Sequence, residues 1–145
     1  MAKNTKNARA NRKRVEQISA STDICRQVWV FDSVDTDGHF RFSPRREDMD
    51  CEDILEKIIH FSKRTWIEIK QDMHDDRKSK NHYLTYDALS DLAKERITRL
   101  HLTERTDEIF SMRLNNTIRI IGIREGDRFV VKWFDPKHEF SPSSG

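Results

Sequence analysis

The sequence predicts an α+β fold. Its expected sheet is antiparallel, built from a C-terminal three-stranded meander plus an N-terminal hairpin, with two to three helices on one face. Three observations predict it. Between residues 109 and 134, three apolar runs are separated by the turn pair Asn115-Asn116 and the turn Arg124-Glu125-Gly126-Asp127. Between Glu47 and Leu100, the apolar residues recur at helical spacing. Between Gln27 and Phe42, β-branched and aromatic residues flank Asp35-Thr36-Asp37-Gly38.

Taken in order, residues 27–34 (QVWVFDSV) favour a strand, and the Asp-Thr-Asp-Gly stretch favours a turn. His39 to Phe42 then alternates polar and apolar, which completes a hairpin ended by Ser43-Pro44. Asp48 and Asp50 mark a helix start, where negative charge complements the dipole. Ile54, Leu55, Ile58, Ile59, Ser62 and Trp66 follow at helical spacing, and Trp66, Ile67 and Ile69 continue that helix or begin another. Residues 71–81 have no apolar face and read as a loop. A third helix is expected from Tyr86 to Leu100, with Tyr86, Leu89, Ala93, Ile97 and Leu100 as its stripe and Asp91, Glu95 and Arg99 on its wet face. The meander follows: Ile109–Leu114, Thr117–Ile123 and Arg128–Phe134, stopped by Asp135-Pro136. This divides the chain into a basic arm over residues 1–20, one α+β domain over 21–140 and a flexible tail over 141–145.

The 145 residues suffice for a core without disulfides or metal. No run of about 18 apolar residues is present, so no membrane span is expected. Without an apolar N-terminal stretch, no secretory signal is expected either. Cys25 and Cys51 form neither a disulfide framework nor a zinc site, and point to a reducing, cytoplasmic setting. The net charge of +2 hides an asymmetry: Lys3, Lys6, Arg9, Arg12, Lys13 and Arg14 stand in a stretch without acids, which leaves the remainder at −4. Such an arm cannot bury apolar surface and is expected to be disordered alone. It reads either as a phosphate-binding arm for nucleic acid or as a solubilising terminus.

The meander concentrates the candidate chemistry in Arg113, Arg119, Arg124, Arg128 and Lys132, with Lys137 and His138 just beyond. Alternation puts Arg119 on the face of Ile121 and Ile123, opposite Ile118, Ile120 and Gly122. A cation among isoleucines either meets a phosphate at the rim of the sheet or covers apolar surface with its stem. His138 is either a general acid or base near neutral pH, with Lys137 and the arginines holding a phosphate, or a surface histidine beside a turn. The metal-capable residues His74, Asp75, Asp76 and His82 match no ligand spacing. Asp35-Thr36-Asp37-Gly38 lacks the distal glutamate of a calcium loop, which would fall near Pro44. No phosphate-cradling glycine loop occurs, and no metal or cofactor is expected.

The stretch from Phe110 to His138 resembles the C-terminal half of the RelE/ParE toxin superfamily. The shared pattern is Arg113-Leu114, a short turn, Arg119-Ile120, a second turn, an apolar strand and then Asp135-Pro136-Lys137-His138. The likeness covers about 30 residues well and roughly 50 more by element order only. It implies a small antiparallel sheet with helices on one side that carries the site. It further implies an mRNA endonuclease acting in the ribosome without metal, or, as in ParE-type members, an inhibitor of DNA gyrase. Carried onto this chain, Arg113 and Arg119 stand where the family keeps sheet cations, and His138 where some members keep a C-terminal catalytic histidine. Lys132, Arg124, Arg128 and Lys137 follow as substrate-binding candidates. The chain departs from the pattern in its longer N-terminus and in Phe140, which stands two residues beyond His138 in place of a following tyrosine.

The expectation is therefore a metal-independent, ribosome-dependent mRNA endonuclease toxin of a mobile element. His138, Arg119 and Arg113 would be catalytic, RNA and the ribosome its partners, and a cognate antitoxin its inhibitor. The competing expectation is a non-catalytic module of the same fold that binds nucleic acid or protein through the arm and the sheet.

Overall fold

The structure is a computed structural model that describes residues 21–73 and 80–142. The basic arm and the cluster His74–Asp76 lie outside the described residues. The α+β class holds, and the sheet is mostly antiparallel. Its strands are β1 (Val28–Val30), β2 (His82–Tyr83), β3 (Ile109–Arg113), β4 (Arg119–Glu125) and β5 (Arg128–Asp135), in the spatial order β1-β5-β4-β3-β2. The described helices are α1 (Cys51–Ser62), α2 (Trp66–Gln71) and α3 (Asp91–Arg99), with 3₁₀ turns at Tyr86–Ala88 and Thr103–Glu108.

The meander forms as the sequence predicts, but the hairpin does not. Val28–Val30 pairs in parallel with Arg128–Val130 of β5, and residues 39–42 form no strand. Asp35 decides the difference. Its carboxylate is buried and accepts from the Arg96 guanidinium at 2.7 and 2.9 Å, the Trp133 indole at 3.0 Å and the Asp37 amide at 3.2 Å. That ion pair ties residues 35–37 to α3 rather than into a two-residue turn. The Asp35 amide donates to the Lys132 carbonyl and the Phe134 amide to the Phe40 carbonyl, so the segment covers the edge of β5 beyond β1. Gly38 sits at φ 84°, a conformation that glycine adopts without steric cost.

The helices are capped by their own sequence. The Asp50 carboxylate accepts from the Asp53 amide at the start of α1. Thr65 and Glu68 form a reciprocal capping box on α2, so Trp66 opens a second helix. Ser90 caps α3 nine residues short of Arg99. The expected helix from Tyr86 therefore begins only at Asp91, and the Tyr86 side chain is exposed. The sequence stripe on α1 was also too wide: Ile54, Ile58 and Phe61 are buried, whereas Leu55 and Ile59 are exposed.

The helices cover both faces of the sheet, not one. On the first face, Ile54, Ile58 and Phe61 of α1 and Trp66 and Ile69 of α2 pack on Phe110, Met112, Ile120, Phe129, Val131 and Phe134. On the second, Ala93 and Ile97 of α3 pack with Ile109, Ile121, Ile123, Trp133 and Phe140. A strand such as β4, with isoleucines on both sides, needs two covers. Ser141 packs on the domain just past residue 140: it is buried and its hydroxyl donates to the Ala88 carbonyl at 3.1 Å.

A β-bulge between β4 and β5 sets which residue faces which cover. Ile121 pairs with Trp133 and Gly122 with Val131, so Lys132 is the extra residue. Val131 and Phe134 thus reach the first core while Trp133 reaches the second. Gly122 makes the bulge possible: a Cβ there would lie 2.3 Å from the Val130 carbonyl oxygen and 3.0 Å from its carbon. Those atoms are backbone and cannot rotate away. Gly122→Ala should therefore lower the unfolding free energy by about 3 kcal/mol in urea titrations. An unchanged midpoint would remove the bulge from this role.

Candidate functional site

Cross-strand register on the α3 face brings the site together. Arg113, Arg119 and Asp135 are successive partners across β3, β4 and β5. One row further in, His82 of β2 pairs with Ser111, and Ser111 with Ile121. Residues in register share a face, so these side chains converge. His82, Leu84, Ser111, Arg119, Ile121, Asp135, His138 and Ser141 line one small pocket, with a cavity of about 10 Å³. That volume holds about one water.

His138 enters from the turn after β5. The Asp135 carboxylate accepts from the Glu139 amide at 2.9 Å and the Phe140 amide at 2.8 Å, which folds the chain back over the sheet end. The buried Phe140 ring meets Phe40 edge-to-face, packs at a tilt against Trp133 and anchors the turn. Within it His138 adopts φ 56°, the left-handed region that L-residues occupy at a cost. Strained backbone of this kind concentrates where a side chain is aimed for function.

Arg119 is the unusual group. It is 6% exposed. Its Nη1 donates to the carbonyls of Asn115 at 2.8 Å and Ile118 at 3.2 Å. Its Nε and Nη2 have no protein acceptor among the described residues, and no carboxylate forms an ion pair with it. Burial and the neighbouring Arg113 charge lower its pKa to about 10, against the pull of Asp135. It therefore remains a cation at neutral pH, with donors to spare.

Arg124 is equally buried and entirely different. Its guanidinium stacks 4.0 Å over the Trp66 ring and bonds the Asp23 carboxylate at 2.8 Å, the Thr22 hydroxyl at 3.1 Å and the Gly126 carbonyl at 2.8 Å. It lies on the opposite face and holds the fold, so its sequence-based role in substrate binding does not stand. Lys132, the bulge residue, donates to the carbonyl and hydroxyl of Ser33, away from the pocket. Arg128 pairs with Glu125 and Val28 at the far end of β5. Lys137 is exposed and does not line the pocket. Arg113 stands beside Arg119, but its guanidinium is held by the Asn115 carbonyl and the Asn116 side chain.

The pocket also contains residues that the sequence did not single out as a site. Ser111 is buried between Phe110 and Met112, and a serine on the apolar face of a strand was its available signal. Asp135 reads from sequence as a strand stop and as the first residue of the Asp135–His138 pattern, with no site role; burial raises its pKa while its two amide donors oppose this. His82 stands out in the sequence only as a metal-capable residue without ligand spacing, because a two-residue strand leaves no period to detect. Its Nδ1 lies 2.9 Å from the Tyr83 carbonyl. Among the described residues, no cluster of three or more His, Cys, Asp or Glu side chains is placed to hold a metal ion, and no helix is long and apolar enough to cross a membrane.

Burial lowers the His138 pKa below its ordinary 6.5, and the charges of Arg119, Arg113 and His82 lower it further, against Asp135. Its imidazole is thus neutral at neutral pH and able to accept a proton. No protein-family model, curated protein or solved structure matches this chain.

Because the folded protein binds the His138 proton less tightly than the unfolded chain, acidification through the ordinary imidazole range costs stability. An NMR titration should place His138 below 6.5, and Arg119→Gln should move it upward by removing the neighbouring charge. A value at or above 6.5 in the wild type would contradict this electrostatic arrangement.

Proposed function

We propose that the protein is a metal-independent RNA endonuclease, with Arg119 and His138 at its centre. One observation carries the reading: a buried, charged guanidinium with free donors shares a pocket with a histidine held neutral by its surroundings. A buried arginine in no ion pair, with Nε and Nη2 lacking a protein acceptor among the described residues, is suited to a phosphate, which supplies the missing oxygens. The cavity holds about one water. A phosphodiester would sit at its mouth, one non-bridging oxygen replacing that water.

The chemistry follows from these positions. His138 takes the proton of a ribose 2′-hydroxyl as general base. The 2′-oxygen attacks the adjacent phosphorus, and the bond to the 5′-oxygen breaks. Arg119 opposes the negative charge that grows on the phosphoryl oxygens. The products are a 2′,3′-cyclic phosphate and a 5′-hydroxyl. Arg113, next in register, would hold a flanking phosphate once released from the Asn115-Asn116 turn. The likeness to RelE-type toxins supports the same reaction class and adds the ribosome as the place of action, with an antitoxin to cover the cationic site. The basic arm would contribute salt-dependent affinity for ribosomal RNA.

The narrowness of the pocket favours a second reading, a module that binds nucleic acid without cleaving it. Induced expression with total mRNA read in parallel separates the two. The endonuclease reading expects growth arrest and fragmented mRNA, with cleavage reduced about 100-fold or more by His138→Ala or Arg119→Ala and unchanged by Arg128→Ala. Intact mRNA with arrested growth would move the target elsewhere, gyrase included. Normal growth with soluble protein would favour the binding module.

A further inference from the structure

We propose that His82 is a second proton-transfer residue of this site, the general acid that protonates the leaving 5′-oxygen. The inference rests on the endonuclease reading above. His82 and His138 come from different parts of the chain, β2 and the turn after β5, and line the same pocket beside Arg119. The two imidazoles are close enough for the charge on one to lower the proton affinity of the other. A base and an acid on either side of a cation is the arrangement that an in-line displacement at phosphorus needs.

The hydrogen bond of His82 fixes which nitrogen acts. The Tyr83 carbonyl only accepts, so Nδ1 carries a proton in the neutral ring. Nε2 has no partner among the described residues. A protonated His82 can therefore give up the Nε2 proton and remain in the tautomer that Tyr83 favours. In the reaction, the O2′–P bond forms and the P–O5′ bond breaks. The 2′-hydroxyl proton passes to His138, and the Nε2 proton of His82 passes to the 5′-oxygen. Solvent exchange then restores both rings. The charged and titratable groups facing His82 are Arg119 on β4, Asp135 at the end of β5 and His138 beyond it, with Arg113 next to Arg119.

The test uses the full chain and programmed ribosomes. It compares an mRNA with an ordinary linkage at the cut site with one that carries sulfur in place of the 5′-oxygen. A thiolate leaves without protonation. His82→Ala should slow cleavage of the ordinary linkage about 100-fold, and of the sulfur linkage by no more than about threefold. His82→Asn should behave alike while keeping an N–H donor toward Tyr83. His138→Ala should slow both linkages. Equal slowing of both linkages by His82→Asn, or none, would overturn the assignment while leaving the endonuclease reading intact. If the wild type cleaves neither linkage, the endonuclease reading falls and takes the role of His82 with it.

Discussion

The β-bulge at Lys132 is the constraint on which the molecule depends. A single extra residue in β5 reverses the sidedness of everything after it. Without it, Trp133 would join Val131 in the α1–α2 core, and Asp135 would leave the face of Arg119. With it, Trp133 fills the α3 core and donates to Asp35, Phe134 fills the other core, and Asp135 stands across from Arg119. The Asp135 carboxylate is then positioned to organise the turn that presents His138. Gly122 is the sequence requirement for this arrangement, because the Val130 carbonyl occupies the space of a side chain.

The same residue types take opposite roles according to their partners. Asp35 and Asp135 are both buried, but Asp35 neutralises Arg96 and fixes a loop to a helix, whereas Asp135 is satisfied by backbone amides and makes no ion pair with Arg119. Arg124 and Arg119 are five residues apart on one strand. Arg124 is saturated by Asp23, Thr22 and Trp66, and removing such a partner strands a buried charge at a cost of about 3–5 kcal/mol. Arg119 has no ion-pair partner among the described residues and feels only the more distant charge of Asp135.

Much of this was legible from local pattern. The meander and the sidedness of Arg119 with Ile121 and Ile123 follow from period-two alternation and short turns. The start of α1 follows from Asp50, whereas the caps at Thr65 and Ser90, which fix where α2 and α3 begin, were passed over. Non-local pairing was not legible. The parallel contact of Val28–Val30 with β5 spans about a hundred residues of chain, and no local signal distinguishes it from a hairpin with residues 39–42. The second helical cover was available in principle, since Ile120 and Ile121 demand burial on both faces of β4. Of the cations grouped by sequence, Arg119 shares a pocket with His138, whereas strand sidedness and the bulge carry Arg124 and Lys132 away from it. His82 depended on a strand too short to announce itself.

If the protein binds RNA as proposed, the Arg119 pocket is the face of the sheet that binds it. The most direct measurement is an NMR footprint of a short 2′-O-methyl RNA, which binds but offers no hydroxyl for cleavage. Amide shifts should concentrate at His82, Ser111, Arg119 and His138, and weaken in Arg119→Gln. A footprint on α1 and β1, or one unchanged by Arg119→Gln, would contradict it.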